Sequence, residues 1–453
     1  MSSPAPRSSS QATAVARDRG DACPGSLRLH AADDGALARI RIPGGVLDVR
    51  QADALAAAAR ELGDGELHLT SRGNVQLRGL GDGCGAQLAA VLDSVGLLPS
   101  RTHERVRNVV ASPLSGLDGA GLADVRPWLT GLDAELCASE TARDLSGRFL
   151  FALDDGRGDV AGLDADVTVR AAADGAALLS LGSSGEAIAV AGSDVPRSAL
   201  IAAETFLTSA AERTQHGRQV WRVAELGVPA EELTRTVVER LTAAGVDGAI
   251  RAREVALADG PVPGFSGAAL SVHIPLGRLS AHQWDALTRT AERHGGELRL
   301  TPWSGAVVPA PGLVPSDASY ALARLAAAGL VTSPDSPWLR VGACIGRPGC
   351  AKSHADVQAD AARALDAAAG AHLPLYWSGC ERRCGRPRTG RIDVVAAPEG
   401  GYRLTATEPA EATAVTDAAP APVLLDDPSR LATALVALTD RTARRPRAAR
   451  RTP

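Results

Sequence analysis

Four cysteines stand in two pairs in the last quarter of the chain. Cys344 and Cys350 are separated by five residues, Cys380 and Cys384 by three, and 29 residues lie between the pairs. Thiolates are soft anionic ligands. Four of them converging from two loops supply one ligand to each iron of a 4Fe-4S cubane. Both loops are rich in glycine, with Gly342, Gly346 and Gly349 in the first and Gly379 and Gly385 in the second. Glycine lets backbone N–H groups come close enough to donate to cluster sulfur. Two other readings stay open on spacing alone. Structural zinc favours knuckles of two to four residues, which the first pair does not offer. The cysteines could also be small buried apolar residues without metal. Cys23, Cys84 and Cys137 are scattered, and an odd total of seven in 453 residues is not a disulfide framework.

The elements that carry these loops show an internal repeat. Ala38–Leu80 contains an alternating strand, Ile42-Pro43, an amphipathic helix, a glycine break and a second strand ending in Leu69-Thr70. Leu270–Leu313 repeats that order, with Ile274-Pro275 and Leu300-Thr301 at matching places. Period, turn and helix agree together, which points to two fused halves. Each copy precedes a longer region of mixed strands and helices, as in α/β units. The first holds a strand over Arg148–Leu153 and helices near Ser198–Glu212 and Pro229–Ala244. The second holds a helix over Ala351–Ala369, strands at Leu373–Trp377 and Arg391–Ala396, and a helix near Pro428–Thr439. The expected units are 1–20 (disordered tail), 21–97 and 256–332 (small halves), 98–255 and 333–440 (large α/β units) and 441–453 (basic tail). The Ala/Thr/Pro-rich stretch 408–422 reads as a surface loop.

Composition removes several classes of function. There are 48 basic and 52 acidic residues, a net charge of −4, so no basic field for nucleic acid is expected. No apolar run is long enough to span a membrane, and the N-terminus lacks the apolar core of a secretory signal. A reducing cytoplasm, where thiolates stay free, is the expected compartment. Lys352 is the single lysine. Anions would therefore be held mostly by guanidinium forks.

The cysteine motif resembles that of the siroheme sulfite and nitrite reductase family. Leu69-Thr70-Ser71-Arg72-Gly73-Asn74-Val75-Gln76 is similar to the family's Thr-Thr-Arg-Gln-x-x-Gln segment, and Arg107-Asn108-Val109 to its Arg-Asn-Val. The resemblance runs from about Ser26 to Thr439. It implies a mixed α+β and α/β fold, with two ferredoxin-like half domains and two larger α/β domains in pseudo-twofold arrangement. It also implies a 4Fe-4S cluster on Cys344, Cys350, Cys380 and Cys384, and a central cavity for a polycarboxylate tetrapyrrole. Arg72, Asn74 and Gln76, spaced by two, would line one face of a strand toward that cavity. Arg107, Asn108 and Arg148 would join them as substrate contacts.

The reductases of the family carry two lysines in a Pro-Arg-Lys-Phe-Lys-like strand, which place charge around a small anion and deliver protons to it. Here the matching residues are Arg148 and Leu150. Leucine has no proton to give, and arginine does not release its own at neutral pH. Cys23-Pro24-Gly25, Phe151–Gly156 and Thr301-Pro302-Trp303 resemble instead the precorrin-3B synthase branch, although that branch often continues Thr-Pro-Trp-Arg and this chain has Ser304. That branch implies an O2-dependent monooxygenase of aerobic cobalamin biosynthesis. It converts precorrin-3A to precorrin-3B by C20 hydroxylation and γ-lactone formation, with NADH as the formal reductant. The branch also implies a non-haem iron, whose ligands this sequence does not place; His354, nearest the cysteines, reads as a helix-surface residue. Gly81-Asp82-Gly83-Cys84-Gly85 lacks the last glycine of a dinucleotide fingerprint and reads as a loop. A separate ferredoxin or NADH-dependent reductase is therefore the expected electron donor. The alternatives are a siroheme-dependent assimilatory sulfite or nitrite reductase, and a non-catalytic Fe–S electron-transfer or tetrapyrrole-binding protein.

Overall fold

The computed structural model describes residues 23–214, 219–253, 257–387, 390–407 and 422–443. The tail at 1–20, almost all of the loop at 408–422 and most of the basic tail at 441–453 lie outside them.

The first small half comprises β1 (His30–Ala32), β2 (Gly35–Ile40), β3 (Val46–Asp48), α1 (Val49–Leu62), β4 (Leu67–Leu69), β5 (Val75–Leu80) and α2 (Gly85–Ser94). The first large unit has β6 (Val109–Ala111), α3 (Arg126–Ala138), β7 (Phe151–Asp154), β8 (Val167–Ala171), β9 (Ala176–Leu181), β10 (Glu186–Ala191), α4 (Val195–Thr214), α5 (Ala230–Ala243) and β11 (Ala249–Ala252). The second small half follows as β12 (Gly264–Ser266), β13 (Ala269–His273), β14 (Arg278–Leu279), α6 (Ala281–His294), β15 (Glu297–Thr301), β16 (Gly305–Pro309) and α7 (Pro315–Ala327). The second large unit has β17 (Val341–Ala343), α8 (Val357–Arg363), α9 (Leu365–Ala368), β18 (Leu375–Ser378), β19 (Arg391–Ala396), β20 (Tyr402–Thr407), β21 (Val423–Leu425) and α10 (Leu431–Ala443). No helix among these residues is long and apolar enough to cross a membrane.

The repeat is visible in the helices. Asp48 caps α1 in a capping box with Gln51, and Ser280 caps α6 in the same way with Gln283. Such reciprocal bonds satisfy backbone donors that a helix start leaves open. The two helices pack against each other, and the Trp284 indole donates to Ala52 O at 2.9 Å. Both halves share one apolar core.

The repeat also exchanges strands. The sheet orders are β1-β2-β5-β4-β14 and β12-β13-β16-β15-β3, so each half completes the other's sheet. Val46 pairs with Arg299 and Arg278 with His68, the same register by the repeat offset. The crossing follows each Ile-Pro. Gly44 and Gly45 have φ of +62° and +71°, and Leu276 and Gly277 have +56° and +70°. A Cβ on Gly45 would stand 1.9 Å from Leu300 O, so side chains are excluded there.

The two large units share a plan. The sheet order β6-β7-β8-β9-β10-β11 begins with three parallel strands and continues antiparallel. The order β17-β18-β19-β20-β21 does the same. Ligand sites in such sheets gather beyond the carboxyl ends of the parallel strands. Cys344 follows β17 directly, and Cys380 follows β18 by two residues.

Three local expectations need correction. Residues 351–356 form turns and bends, and the helix begins at Val357, where the Asp356 carboxylate accepts from Ala359 N. His354 is accordingly on a bend, not a helix. Arg148 and Leu150 precede β7 and are not part of it.

Gly45→Ala should lower stability by about 3 kcal/mol or more, because strain and a backbone clash combine. Gly65→Ala, at φ +85° with nothing within 4 Å, should cost only about 1–2 kcal/mol. Denaturant unfolding of the two variants checks the difference.

Candidate cluster and anion-binding site

The cysteine loops interlock before any metal is considered. The N–H of Gly379 donates to Cys344 Sγ at 3.2 Å, and His354 N donates to Gly379 O at 2.8 Å. Ser353 N donates to Cys350 O, and the Tyr376 hydroxyl donates to Cys384 O at 2.6 Å. Gly379 packs so tightly on Ser353 that a Cβ would stand 1.9 Å from its hydroxyl. Buried Asp393 on β19 gathers Arg391, Arg383 and Arg386 at 3.0, 3.4 and 3.5 Å, anchoring the Cys380–Cys384 loop. Cys344, Cys350 and Cys380 are partly buried and Cys384 is exposed.

The chemistry of this set fits a multi-iron centre. Burial and the neighbouring Cys384 and Cys380 push the Cys344 thiol up, against N–H groups of Gly379 and Gly346 that pull it down. The N–H of Gly379 is thus already aimed at the sulfur that a cluster would use. Among the described residues no three cysteine sulfurs lie within 4.8 Å of one another. Four thiolates about 2.3 Å from a single zinc would stand about 3.8 Å apart.

The first half domain holds the Cys350 loop in place. Arg78 on β5 pairs with Asp34 through two contacts of 2.8 Å and donates to Gly349 O at 2.9 Å. Ala351 N donates to Asp33. The symmetry-related hairpin turn makes the equivalent contact in the other half, with Ala268 N donating to Leu117 O at 2.8 Å.

The six expected substrate residues divide into different roles. Arg72 and Asn74 lie in the turn between β4 and β5, with Gly73 at φ +66°; Gln76 is on β5 itself. Asn74 is buried, accepts from Ile42 N at 2.9 Å and donates to Asn108 at 3.1 Å; Asn108 in turn donates to Phe149 O. These two amides tie the first half domain to the first large unit. Gln76 accepts from Arg39 at 2.6 Å. Arg107 is buried, with a bidentate pair to Asp133 at 2.7 and 2.8 Å and a bond to Leu97 O. Its guanidinium is thus engaged within the protein.

Arg72 differs. It is half-buried, and its guanidinium makes no hydrogen bond or ion pair among the described residues. Burial and the charges of Arg222 and Arg39 push it down to about 10. Arg148 is exposed and lies 5.6 Å from the Trp221 ring centroid, within cation–π range. Beside it is a cavity of about 270 Å³ lined by Arg105, Arg143, Ser146, Gln219 and Trp221 among others. Arg41 is buried and donates to Gly147 O at 3.0 Å. Six arginines (39, 41, 72, 105, 148 and 222) therefore crowd one side of the molecule. The Arg-x-Arg alternation along β2 could have flagged Arg39; nothing near Arg222 in sequence marks it.

Leu150 is 2% exposed in a small core with Val110, Ala152, Val160 and Ala165, and Trp303 of the second repeat packs on it. By the repeat offset Trp303 is the counterpart of Arg72, and His273 of Arg41. The loops after β6 and β7, which correspond to the cysteine loops, hold an ion network instead. Arg157 bridges Asp118 at 2.8 Å and Asp155 at 2.7 Å. Asp159, beside them, accepts from Ser112 at 2.6 Å and is raised to about 7 by burial and by Asp154 and Asp155.

The nitrite/sulfite reductase ferredoxin-like half domain matches twice, at residues 30–92 and 266–328. Both small halves thus match that half-domain model, and over most of its length the chain is similar to proteins of the nitrite/sulfite reductase type. Precorrin-3B synthase of a Sinorhizobium species is 27% identical over 402 residues, covering 85% of this chain and 83% of that protein. A ferredoxin–nitrite reductase of Synechococcus elongatus is 29% identical over 404 residues, covering 80% and 76%. In fold, the chain resembles the NirA protein of Mycobacterium tuberculosis, with a TM-score of 0.66 over 92% of this chain and 82% of that one, at 18% identity. The two matches fall on the two strand-exchanging halves described above.

Arg107→Ala should cost about 3 kcal/mol, since it strands Asp133 without its partner, whereas Arg72→Ala should leave the melting temperature unchanged or raise it. Thermal unfolding distinguishes them. Asp159 binds its proton more tightly folded than unfolded, so its contribution to stability falls as pH rises from about 4 to about 7. Asp159→Asn, which keeps an acceptor for Ser112, should therefore gain stability over wild type progressively across that interval, measured by unfolding at pH 4, 6 and 8.

Proposed function

We propose that the chain is an iron–sulfur oxidoreductase that binds a polycarboxylate tetrapyrrole and acts as a precorrin-3B synthase-like monooxygenase. The observation that carries this reading is Arg72, a half-buried cation without an ion pair, set in a wall of arginines. Such a charge is costly unless an anion meets it. A macrocycle with several acetate and propionate arms presents several carboxylates at once, and guanidinium forks match them bidentately.

Leu150 supports the organic substrate over sulfite or nitrite. Where the reductases carry a lysine, this chain carries a leucine buried in the small core that Trp303 packs against. That place offers neither charge nor protons to a small anion. Arg72 and Arg148 would orient precorrin-3A by its carboxylates. One atom of O2 would enter at C20 and the other leave as water, consuming two electrons and two protons, before the ring A acetate closes the γ-lactone.

A 4Fe-4S cluster on Cys344, Cys350, Cys380 and Cys384 would supply those electrons one at a time. Exposed Cys384 is surrounded in sequence by exposed Arg382 and Arg386, and exposed Arg347 and Lys352 lie on the companion loop. This basic rim suits an acidic donor of the ferredoxin or NADH-dependent reductase type. A non-haem iron, also expected for this activity, has no assigned ligands here.

Anaerobically purified protein should show a broad cluster absorption without siroheme bands, and should turn over precorrin-3A with O2 and a reductase. NADH alone should not reduce it. Strong siroheme bands would favour a sulfite or nitrite reductase, and a cluster without turnover would favour an electron carrier. Cys384→Ser should abolish the cluster absorption. Arg72→Ala should weaken macrocycle binding by about tenfold or more, the loss of a charge-assisted hydrogen bond.

A further inference from the structure

The strand that delivers Cys380 ends in a hydroxyl with nothing to bond. Ser378 is fully buried, and its Oγ has no hydrogen-bond partner among the described residues. A buried polar group without a partner costs free energy, so its persistence asks for a reason. The direction of the side chain follows from strand alternation. Leu375 and Trp377 enter the apolar core of the second large unit, with Trp377 set edge-on to Tyr402. Tyr376 and Ser378 leave on the opposite face. On that face the Tyr376 hydroxyl reaches Cys384 O, and its ring lies against Gly342 and Gly385. The next residue, Gly379, already donates its N–H to Cys344 Sγ. Ser378 thus stands on the cysteine side of β18, between a residue that touches Cys384 and one that touches Cys344.

We propose that the Ser378 hydroxyl donates a hydrogen bond to a sulfur of the iron–sulfur centre and thereby sets its reduction potential. The inference rests on the cluster reading above. Adding an electron makes the sulfurs more negative, so a donor aimed at them stabilises the reduced state and raises the potential. Ser378 acts through the cluster and is a positioning residue.

The test is a redox titration of the full chain, followed by the cluster's electron paramagnetic resonance signal, with absorption confirming that each variant holds its cluster. Ser378→Ala should shift the midpoint to lower potential, and Ser378→Thr, which restores the hydroxyl, should return it toward wild type. Ser198→Ala removes another buried, unpartnered hydroxyl on α4 and should leave the midpoint unchanged. An unchanged or higher midpoint in Ser378→Ala, with the cluster intact, overturns the proposal and leaves the cluster reading standing. A wild-type protein that binds no cluster overturns both.

Discussion

The strand exchange between the two small halves is the constraint on which the rest of the architecture depends. After each Ile-Pro the backbone takes two successive left-handed residues, and this reverses the chain into the other copy's sheet. At Gly45 the opposing Leu300 carbonyl comes so near that no side chain can intervene. Because each sheet needs a strand from the other half, neither half can close its sheet alone. The shared core and the α1–α6 contact then fix the halves as one body. Everything that bears chemistry hangs from that body: one hairpin turn grips the Cys350 loop, and its counterpart grips the loop after β6.

Duplication supplied two equivalent places for a metal centre and two equivalent walls, and the chain has made them unlike. Beyond β17 and β18 stand four thiols. Beyond β6 and β7 stand Arg157 and the carboxylates of Asp118 and Asp155 that it bridges. The walls diverge in the same way. Arg41 and Arg72 face one side, while His273 and Trp303 occupy their related positions. Packing Trp303 on the small core that contains Leu150 joins the second half to the first large unit. The difference is chemical at conserved backbone geometry: Thr70 and Thr301 each accept from the residue four positions on, at 3.2 and 3.1 Å.

Much of this was legible before any coordinates. The repeat with its two amphipathic helices, the alternation of strands and helices and the strand Arg391–Ala396 followed from periodicity and punctuation, which are local signals, while the α+β class came with the family resemblance. The exchange did not, since β3 and β14 are three and two residues long and owe their existence to a distant partner. Nor did the role of Arg107. Its motif resembles a substrate contact, but Asp133, 26 residues away on α3, engages both arms of its fork. Asn74 and Asn108 were likewise readable as polar and not as joined to each other. Side-chain alternation placed Arg72 on a strand, and the left-handed Gly73 puts it in a turn. Ser378 had no sequence signal beyond its position, because its interest lies in what it fails to touch.

The abundance of arginine can be weighed in these terms. Along the surface it tells little, since Arg126 and Arg403 pair with neighbouring carboxylates and exposed pairs contribute little. Inside, each guanidinium must be matched. Arg78, Arg107, Arg157 and Arg299 each meet a carboxylate within 2.8 Å. Arg72 has no such partner among the described residues, and two other arginines lower its charge affinity further. Folding alone gives no reason to gather like charges at a half-buried turn. A ligand with several negative arms does, because each arm that enters converts repulsion among the guanidiniums into attraction. The same reasoning separates large substrates from small ones. One inorganic anion brings a single charge centre to Arg72, whereas the carboxylate-rimmed macrocycle proposed above would bring several to the same group of guanidiniums.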